Sequence, residues 1–230
     1  ANIDNIRFPD SAWDGEVLNL LINGPKYLKK SLEFDLPPPP SNSSHKTTQE
    51  LELLKKYQAK ARTPEQVNKI LTEAKAGDFS ETFLKGGPFS TELKKAAAYI
   101  LNFSNKEILY FIARDKKRFH RPRPSQLVPE LILVVPNPGH AAYPSGHATQ
   151  SMIMAEILAL IDPKTANSSI NYAYEIAERR EIAGVHYPSD SKAGQYLARN
   201  FLVELMKVEE FKNILAATKD NYRTLIKAAK

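Results

Sequence analysis

Apolar side chains recur every three or four residues along this chain, in blocks divided by proline and glycine, and they never alternate long enough to build a sheet. That periodicity restricts the fold to helices packed on helices. Leu51, Leu53, Leu54, Tyr57 and Ala61 mark one block over 48–61, with Thr47 or Thr48 available as its cap. Thr63-Pro64-Glu65 opens a second, with Pro64 at the first helical position; it runs toward Ala76 and stops at Gly77. Ser90-Thr91-Glu92 begins the longest, which carries Leu93, Ala96, Ala97, Ile100 and Leu101, then Ile108, Leu109, Phe111 and Ile112. Met152, Ile153, Ala155, Ile157 and Leu158 make 147–160 a core helix that ends at Asp162-Pro163. Residues 167–169 can cap the next, which passes through Tyr172 and Ile176 to Ile182, and 193–208 and 211–226 complete the set. The fold class is all-α, a single compact helical domain with a proline-containing N-terminal arm.

The arm occupies 1–47 and the helical domain 48–230. Trp13, Val17, Leu18, Leu20, Leu21 and Ile22 form a short apolar segment broken by Gly24-Pro25. Leu36 then leads into Pro37-Pro38-Pro39-Pro40 and the polar Ser41-Asn42-Ser43-Ser44, a stiff arm expected to lie on its own domain. No apolar run approaches the ~18 residues that cross a bilayer, so the chain is expected to be soluble, without membrane insertion. It begins with Ala1, as a processed secreted chain or a trimmed one would, and it has no cysteine, which excludes disulfides and thiolate metal sites.

The net charge of +6 is focal: 111–124 holds Arg114, Lys116, Lys117, Arg118, Arg121 and Arg123 against Asp115 alone. Such a cluster suits a phosphate backbone or a pocket for one small anion. Only Phe119 interleaves an aromatic ring and no binding module is recognisable, so no nucleic acid is expected. Lys116 and Arg123 are complementary tools for a tetrahedral oxyanion, an ammonium point charge and a rigid fork. Arg121 competes with Arg123 for that place, since both precede proline and spacing does not choose between them.

Two histidines add chemistry. His147 follows Tyr143-Pro144-Ser145-Gly146 at a helix start, where backbone amides can gather around an anion. His186 comes after a helix end, with Asp190 four residues on to hold its ring and Arg180 six residues before it. An uncharged imidazole can attack phosphorus while a second protonates the departing alkoxide. His140 lies just upstream of the turn and can line the pocket. The neighbouring arginines oppose a divalent cation, so no metal is expected. Nucleotide-binding glycine loops, Gly-x-Ser-x-Gly and His-Glu-x-x-His are all missing.

Taken together, Lys116 with six residues to Arg123-Pro124, then Pro144-Ser145-Gly146-His147, then Arg180 with five residues to His186 and three more to Asp190, resemble the type 2 phosphatidic-acid-phosphatase superfamily. Within it the chain resembles the bacterial class A non-specific acid phosphatases. The three elements span 116–190, and their register selects Arg123 over Arg121. Arg179 stands where the family has serine. The resemblance implies broad hydrolysis of phosphate monoesters through a phosphohistidine, with phosphotransfer as a side activity. It implies His186 as nucleophile, Asp190 as its orienting carboxylate and His147 as general acid and then base. Lys116, Arg123, Arg180, Ser145 and Gly146 would hold the phosphate oxygens, and Tyr143, His140 and Arg62 would form the rim. No cofactor is implied, the location implied is periplasmic or secreted, and a homo-oligomer is left open. The alternatives are a vanadium-dependent haloperoxidase using the same oxyanion cradle and, from another class, a non-catalytic basic anion- or nucleic-acid-binding protein.

Overall fold

Helix α7, Gly146–Ile161, is apolar on nearly every side and therefore has to be surrounded. The computed structural model of the chain describes residues 2–230; Ala1, read above as a chain start, lies outside them. Met152, Ile153, Met154, Ala155, Ile157 and Leu158 of α7 are wholly buried. Helices α5 (Thr91–Phe119), α8 (Ala166–Ile182) and α9 (Pro188–Leu205) enclose them, and α10 (Glu209–Ala228) packs on α5. Helices α1 (Gly15–Asn23) and α4 (Phe79–Gly86) lie against α5, while α2 (His45–Lys60) and α3 (Pro64–Glu73) lie against α8. A single turn, α6 (Pro124–Leu127), completes the α-helices among the described residues. No strand occurs among them, and no helix is long and apolar enough to cross a membrane.

Apart from α4 and the single turn α6, the helices form where the apolar spacing places them, and their ends follow local capping chemistry. Ser44 caps α2 through its hydroxyl, which accepts from Thr47 N, so that helix starts ahead of both threonines expected to cap it. Thr63 caps α3 with Pro64 at its first position, and the helix ends at Glu73, short of Ala76. Helix α4, capped by Asp78, lies in a stretch whose Gly86-Gly87-Pro88 reads only as a break. Residues 167–169 lie inside α8 rather than capping it, because a 3-10 turn at Pro163–Thr165 has already set the direction. Helix α9 starts at Pro188, ahead of residue 193, which puts Asp190 in its first turn.

The arm is integral to the packing. Phe34 and Leu36 belong to the main core with Phe83, Phe111, Phe201 and Phe211. Tyr143 donates its hydroxyl proton to the Pro37 carbonyl, and Pro37, Pro38 and Pro40 share a groove with Tyr143 and Tyr196. The focal basic cluster is in part neutralised. Arg118 binds Glu33 at 2.8 Å, Arg114 contacts Asp115 at 3.3 Å, and Lys117 binds Asp10 at 3.1 Å. Lys116, Arg121 and Arg123 are buried. The cluster read from 111–124 is therefore half a set of local ion pairs and half the wall of an interior site.

That site depends on α9 approaching the start of α7 closely. Gly194 makes the approach feasible: a Cβ there would sit 2.7 Å from Thr149 Oγ1 and 2.8 Å from the Ser145 carbonyl oxygen. Gly194→Ala is expected to lower stability by about 1–3 kcal/mol, as overpacking of a tight core does. Chemical denaturation measures this, and a variant as stable as the parent would show that the two helices can separate freely.

Candidate active site

The side chains singled out in sequence converge from four places. Lys116 comes from the last turn of α5, which ends at His120 in a left-handed conformation. From there the chain runs extended through Arg121-Pro122-Arg123-Pro124, since proline disfavours the helical region for the residue before it. Side chains two apart in extended chain share a face. Arg121 and Arg123 accordingly both turn inward, with 2% and 0% of their surface exposed. Gly146 and His147 open α7, Arg180 sits in the last turn of α8, and the turn 183–187 presents His186 just ahead of α9.

Asp190 organises the turn. Its Oδ2 accepts from the Tyr187 amide at 3.0 Å, closing the start of α9, and from His186 Nδ1 at 2.9 Å. Its Oδ1 accepts from Arg121 NH1 at 2.7 Å. Burial pushes the Asp190 carboxyl up, whereas Arg121 and the Tyr187 amide draw it down. Every contact offered to its two oxygens is a donor, the pattern that suits a carboxylate. Arg121 is held in turn by Ser189 Oγ at 2.7 Å, by the Glu50 carboxylate at 3.5 Å and by the Tyr187 ring 3.8 Å away. Glu50 also accepts from the Ser189 amide and hydroxyl. Neither Glu50 nor this role of Arg121 was legible in the sequence.

Donor arithmetic fixes the tautomers. Arginine can only donate, and Arg123 NH1 lies 3.0 Å from His186 Nε2. That nitrogen must carry a lone pair, and His186 is neutral with its proton on Nδ1. By the same argument His140 Nδ1, 3.0 Å from Arg123 NH2, is an acceptor. A carbonyl can only accept, so His147 Nε2, 2.8 Å from the Glu73 carbonyl oxygen, carries a proton and its Nδ1 is the free position. Burial is the largest cause holding these rings neutral. Arg180 assists at His147, which is pushed down to about 3, and Arg123 and Lys116 assist at His186, which lies well below the usual imidazole range.

Arg123 also donates to the Val185 and His140 carbonyls, and Lys116 Nζ donates to the Ala141 carbonyl at 2.8 Å. Burial, then Arg123, holds the Lys116 ammonium well below the usual lysine range. Arg180 donates to the Ile70 carbonyl at 3.0 Å, and its Nε has no partner among the described residues. Glu73 lies 3.7 Å from Arg180 but 2.5 Å from Arg179, so Arg179 takes the closer share of that carboxylate. The buried cations around the site, Lys116, Arg121, Arg123, Arg179 and Arg180, outnumber the buried carboxylates Glu50, Glu73, Glu181 and Asp190, of which Glu181 is pushed up to about 8 by burial. The excess of positive groups suits an anion.

A cavity of about 420 Å³ is lined by His140, Gly146, His147, Arg180 and His186. Lys116 reaches a smaller adjoining cavity that shares His140, Gly146 and His147. Ser145 is fully buried, and its hydroxyl accepts from the Ala148 amide at 3.3 Å. Of the expected rim only His140 lines the cavity. Tyr143 faces the proline groove, and Arg62 donates from Nε to the Ile182 carbonyl. No group of three or more His, Asp or Glu side chains among the described residues is placed to hold a metal ion.

Residues 95–213, more than half of the chain, match the PAP2 superfamily, and the chain belongs to it. It is 31% identical over 88 residues to a non-specific acid phosphatase of Providencia stuartii, which covers 38% of this chain and 36% of that protein. It is 30% identical over 117 residues to the Salmonella typhi non-specific acid phosphatase, covering 48% of this chain and 46% of that one. In both cases the aligned stretch is less than half the relative's own length. Among solved structures it resembles a bacterial vanadium-dependent iodoperoxidase, with TM-score 0.63 and 17% identity over 89% of this chain and 62% of that one. It also resembles a transmembrane PAP2-type phosphatidylglycerolphosphate phosphatase from Bacillus subtilis, with TM-score 0.52 and 16% identity over 72% of this chain and 88% of that one. At such identities the likeness speaks for the fold alone.

The charge excess and the depressed histidine predict how an anion binds. A dianion placed among Lys116, Arg123, Arg180 and His147 favours the protonated forms, so pKa values that burial and neighbouring cations have lowered rise on binding. Binding should therefore take up protons. Titration calorimetry with sulfate, itself a dianion throughout, near pH 6 in buffers of different ionisation enthalpy should show net uptake. Zero exchange or proton release would contradict the electrostatic description.

Proposed function

We propose that the chain hydrolyses phosphate monoesters with broad alcohol specificity through a phosphohistidine on His186. The observation that carries the reading is the tautomer of His186: a neutral ring, its Nδ1 proton on Asp190 and its Nε2 lone pair held by Arg123. The match to the PAP2 superfamily and the partial similarity to non-specific acid phosphatases support the same class of reaction.

As substrate binds, Arg123 transfers its NH1 contact from His186 Nε2 to a phosphate oxygen, and Lys116, Arg180 and the Gly146 amide take up the remaining negative charge. Charge stabilisation of this kind is commonly the largest contribution to phosphoryl transfer. His186 Nε2 then forms a bond to phosphorus as the ester P–O bond breaks. The departing alkoxide takes a proton from His147 Nδ1, the nitrogen not committed to the Glu73 carbonyl. In the second half, water attacks phosphorus, gives its proton to His147, and the N–P bond breaks to release phosphate and neutral His186. An alcohol in place of that water gives phosphotransfer. Asp190, with Arg121 behind it, supports the charge that His186 acquires. Since His147 must enter protonated, turnover is best at acidic pH. The periplasm or the extracellular space is the location this reading favours, and residues 48–230 with the packed arm 1–47 act as one catalytic unit.

The test is hydrolysis in EDTA across leaving groups. His186→Ala should abolish turnover. His147→Ala should reduce kcat by about 10²–10⁴ for alkyl phosphates, the range for loss of a general acid. The same change should cost much less for p-nitrophenyl phosphate, whose leaving group needs no proton. Equal losses on both would remove His147 from the acid role. Halide oxidation with added vanadate and peroxide, without ester hydrolysis, would favour the haloperoxidase reading instead. Anion binding without either turnover would leave a binding protein.

A further inference from the structure

Arg180 lines the cavity beside His147 and His186, yet an exposed carboxylate, Asp14, lines it too. We propose that Asp14 selects phosphomonoesters whose alcohol carries an ammonium group, that is, small amino-alcohol phosphates; this rests on the phosphomonoesterase reading above. Asp14 is the N-cap residue of α1, a place where aspartate ordinarily accepts from the amides of the first turn. Here its side chain makes no such bond. It lies instead over Gly139, where a Cβ would come within 2.2 Å of the carboxylate carbon. Any other residue at 139 would displace it. The Asp14 amide donates to the Gly139 carbonyl at 2.8 Å, which pins the two segments together. Lys117, stacked over the Trp13 ring next door, is paired with Asp10 and leaves Asp14 uncompensated.

Asp14 lines the same cavity as His147, Arg180 and His186. The cavity lining also includes the apolar Ala74, Val135 and Pro138. With the phosphoryl group held among the cations, the alcohol portion must run outward along this lining. An uncharged alkyl chain finds only apolar contact there, and a second anionic group meets a like charge. An ammonium two or three carbons from the ester oxygen meets a carboxylate that has no other partner. The exposure of Asp14 keeps the effect moderate and makes it sensitive to salt.

The experiment compares kcat/KM for O-phosphoethanolamine, ethyl phosphate and 3-phosphoglycerate in the native chain and in Asp14→Asn, which keeps the size of the side chain and removes its charge. An ammonium group also makes its alcohol a better leaving group, so the change in the substrate ratio between the two proteins is what decides. The phosphoethanolamine to ethyl phosphate ratio should fall about fivefold in the variant, the upper range for a water-exposed ion pair. Discrimination against 3-phosphoglycerate should relax in parallel. In the native chain the same ratio should shrink as salt is added, a readout that does not depend on the variant folding. Hydrolysis of all three esters with ratios unaffected by Asp14→Asn or by salt would overturn the inference and leave the phosphatase reading standing. Failure to hydrolyse any of them would overturn both.

Discussion

Burying a charge costs several kcal/mol unless partners repay it, and the arrangement around His186 is governed by that cost. The cations there are bound to carbonyl oxygens and to too few carboxylates. Lys116 relies on the Ala141 carbonyl, Arg180 on the Ile70 carbonyl, and Arg123 on the carbonyls of His140 and Val185. Carbonyl dipoles soften a buried cation without cancelling it. The site therefore keeps a positive potential, which adds to burial in depressing the imidazoles and suits an anion. The helix packing brings these cations together: the apolar α7 fixes the floor, and α5, α8 and α9 bring their charged ends to the same point.

The carboxylates divide the work. Glu73 lies near Arg179 and Arg180, and its backbone carbonyl orients His147. Asp190 begins α9, orients His186 and pairs with Arg121. Each joins a structural role to a chemical one, so substitution at either alters packing and the electrostatics of a histidine at once. The Arg121, Glu50 and Ser189 group, on the far side of Asp190 from His186, keeps Asp190 in place by charge and by the Tyr187 ring.

The helices were legible because burial imposes the 3.6-residue period on sequence, as the longest, α5, shows, whereas α7 was legible as an unbroken apolar run between Gly146 and Asp162-Pro163. Short helix α4 escaped because its glycine end dominates the local signal and its apolar residues, Phe79, Phe83 and Leu84, are few. Asp190 was legible as a partner of His186 but not as part of α9, since Pro188 reads equally as a turn. The basic run was legible as charge but not as pairing. Glu33 and Asp10, which neutralise Arg118 and Lys117, are distant in sequence, and nothing local marks them. The same holds for Glu50 on α2 and for Asp14 over Gly139. Tyr143 and Arg62 were placed on the rim by proximity in sequence or by resemblance, and their hydrogen bonds turn them elsewhere.

The central claim is that neutral His186, not His147, bonds to phosphorus. It is tested most directly by stopping a single turnover of p-nitrophenyl phosphate in alkaline denaturant, where phosphohistidine survives, and locating the phosphoryl group by mass spectrometry. The account predicts one phosphorylated residue, His186. A phosphoryl group on His147 or on Ser145, or release of p-nitrophenol with no phosphoenzyme at any time during that turnover, would contradict it.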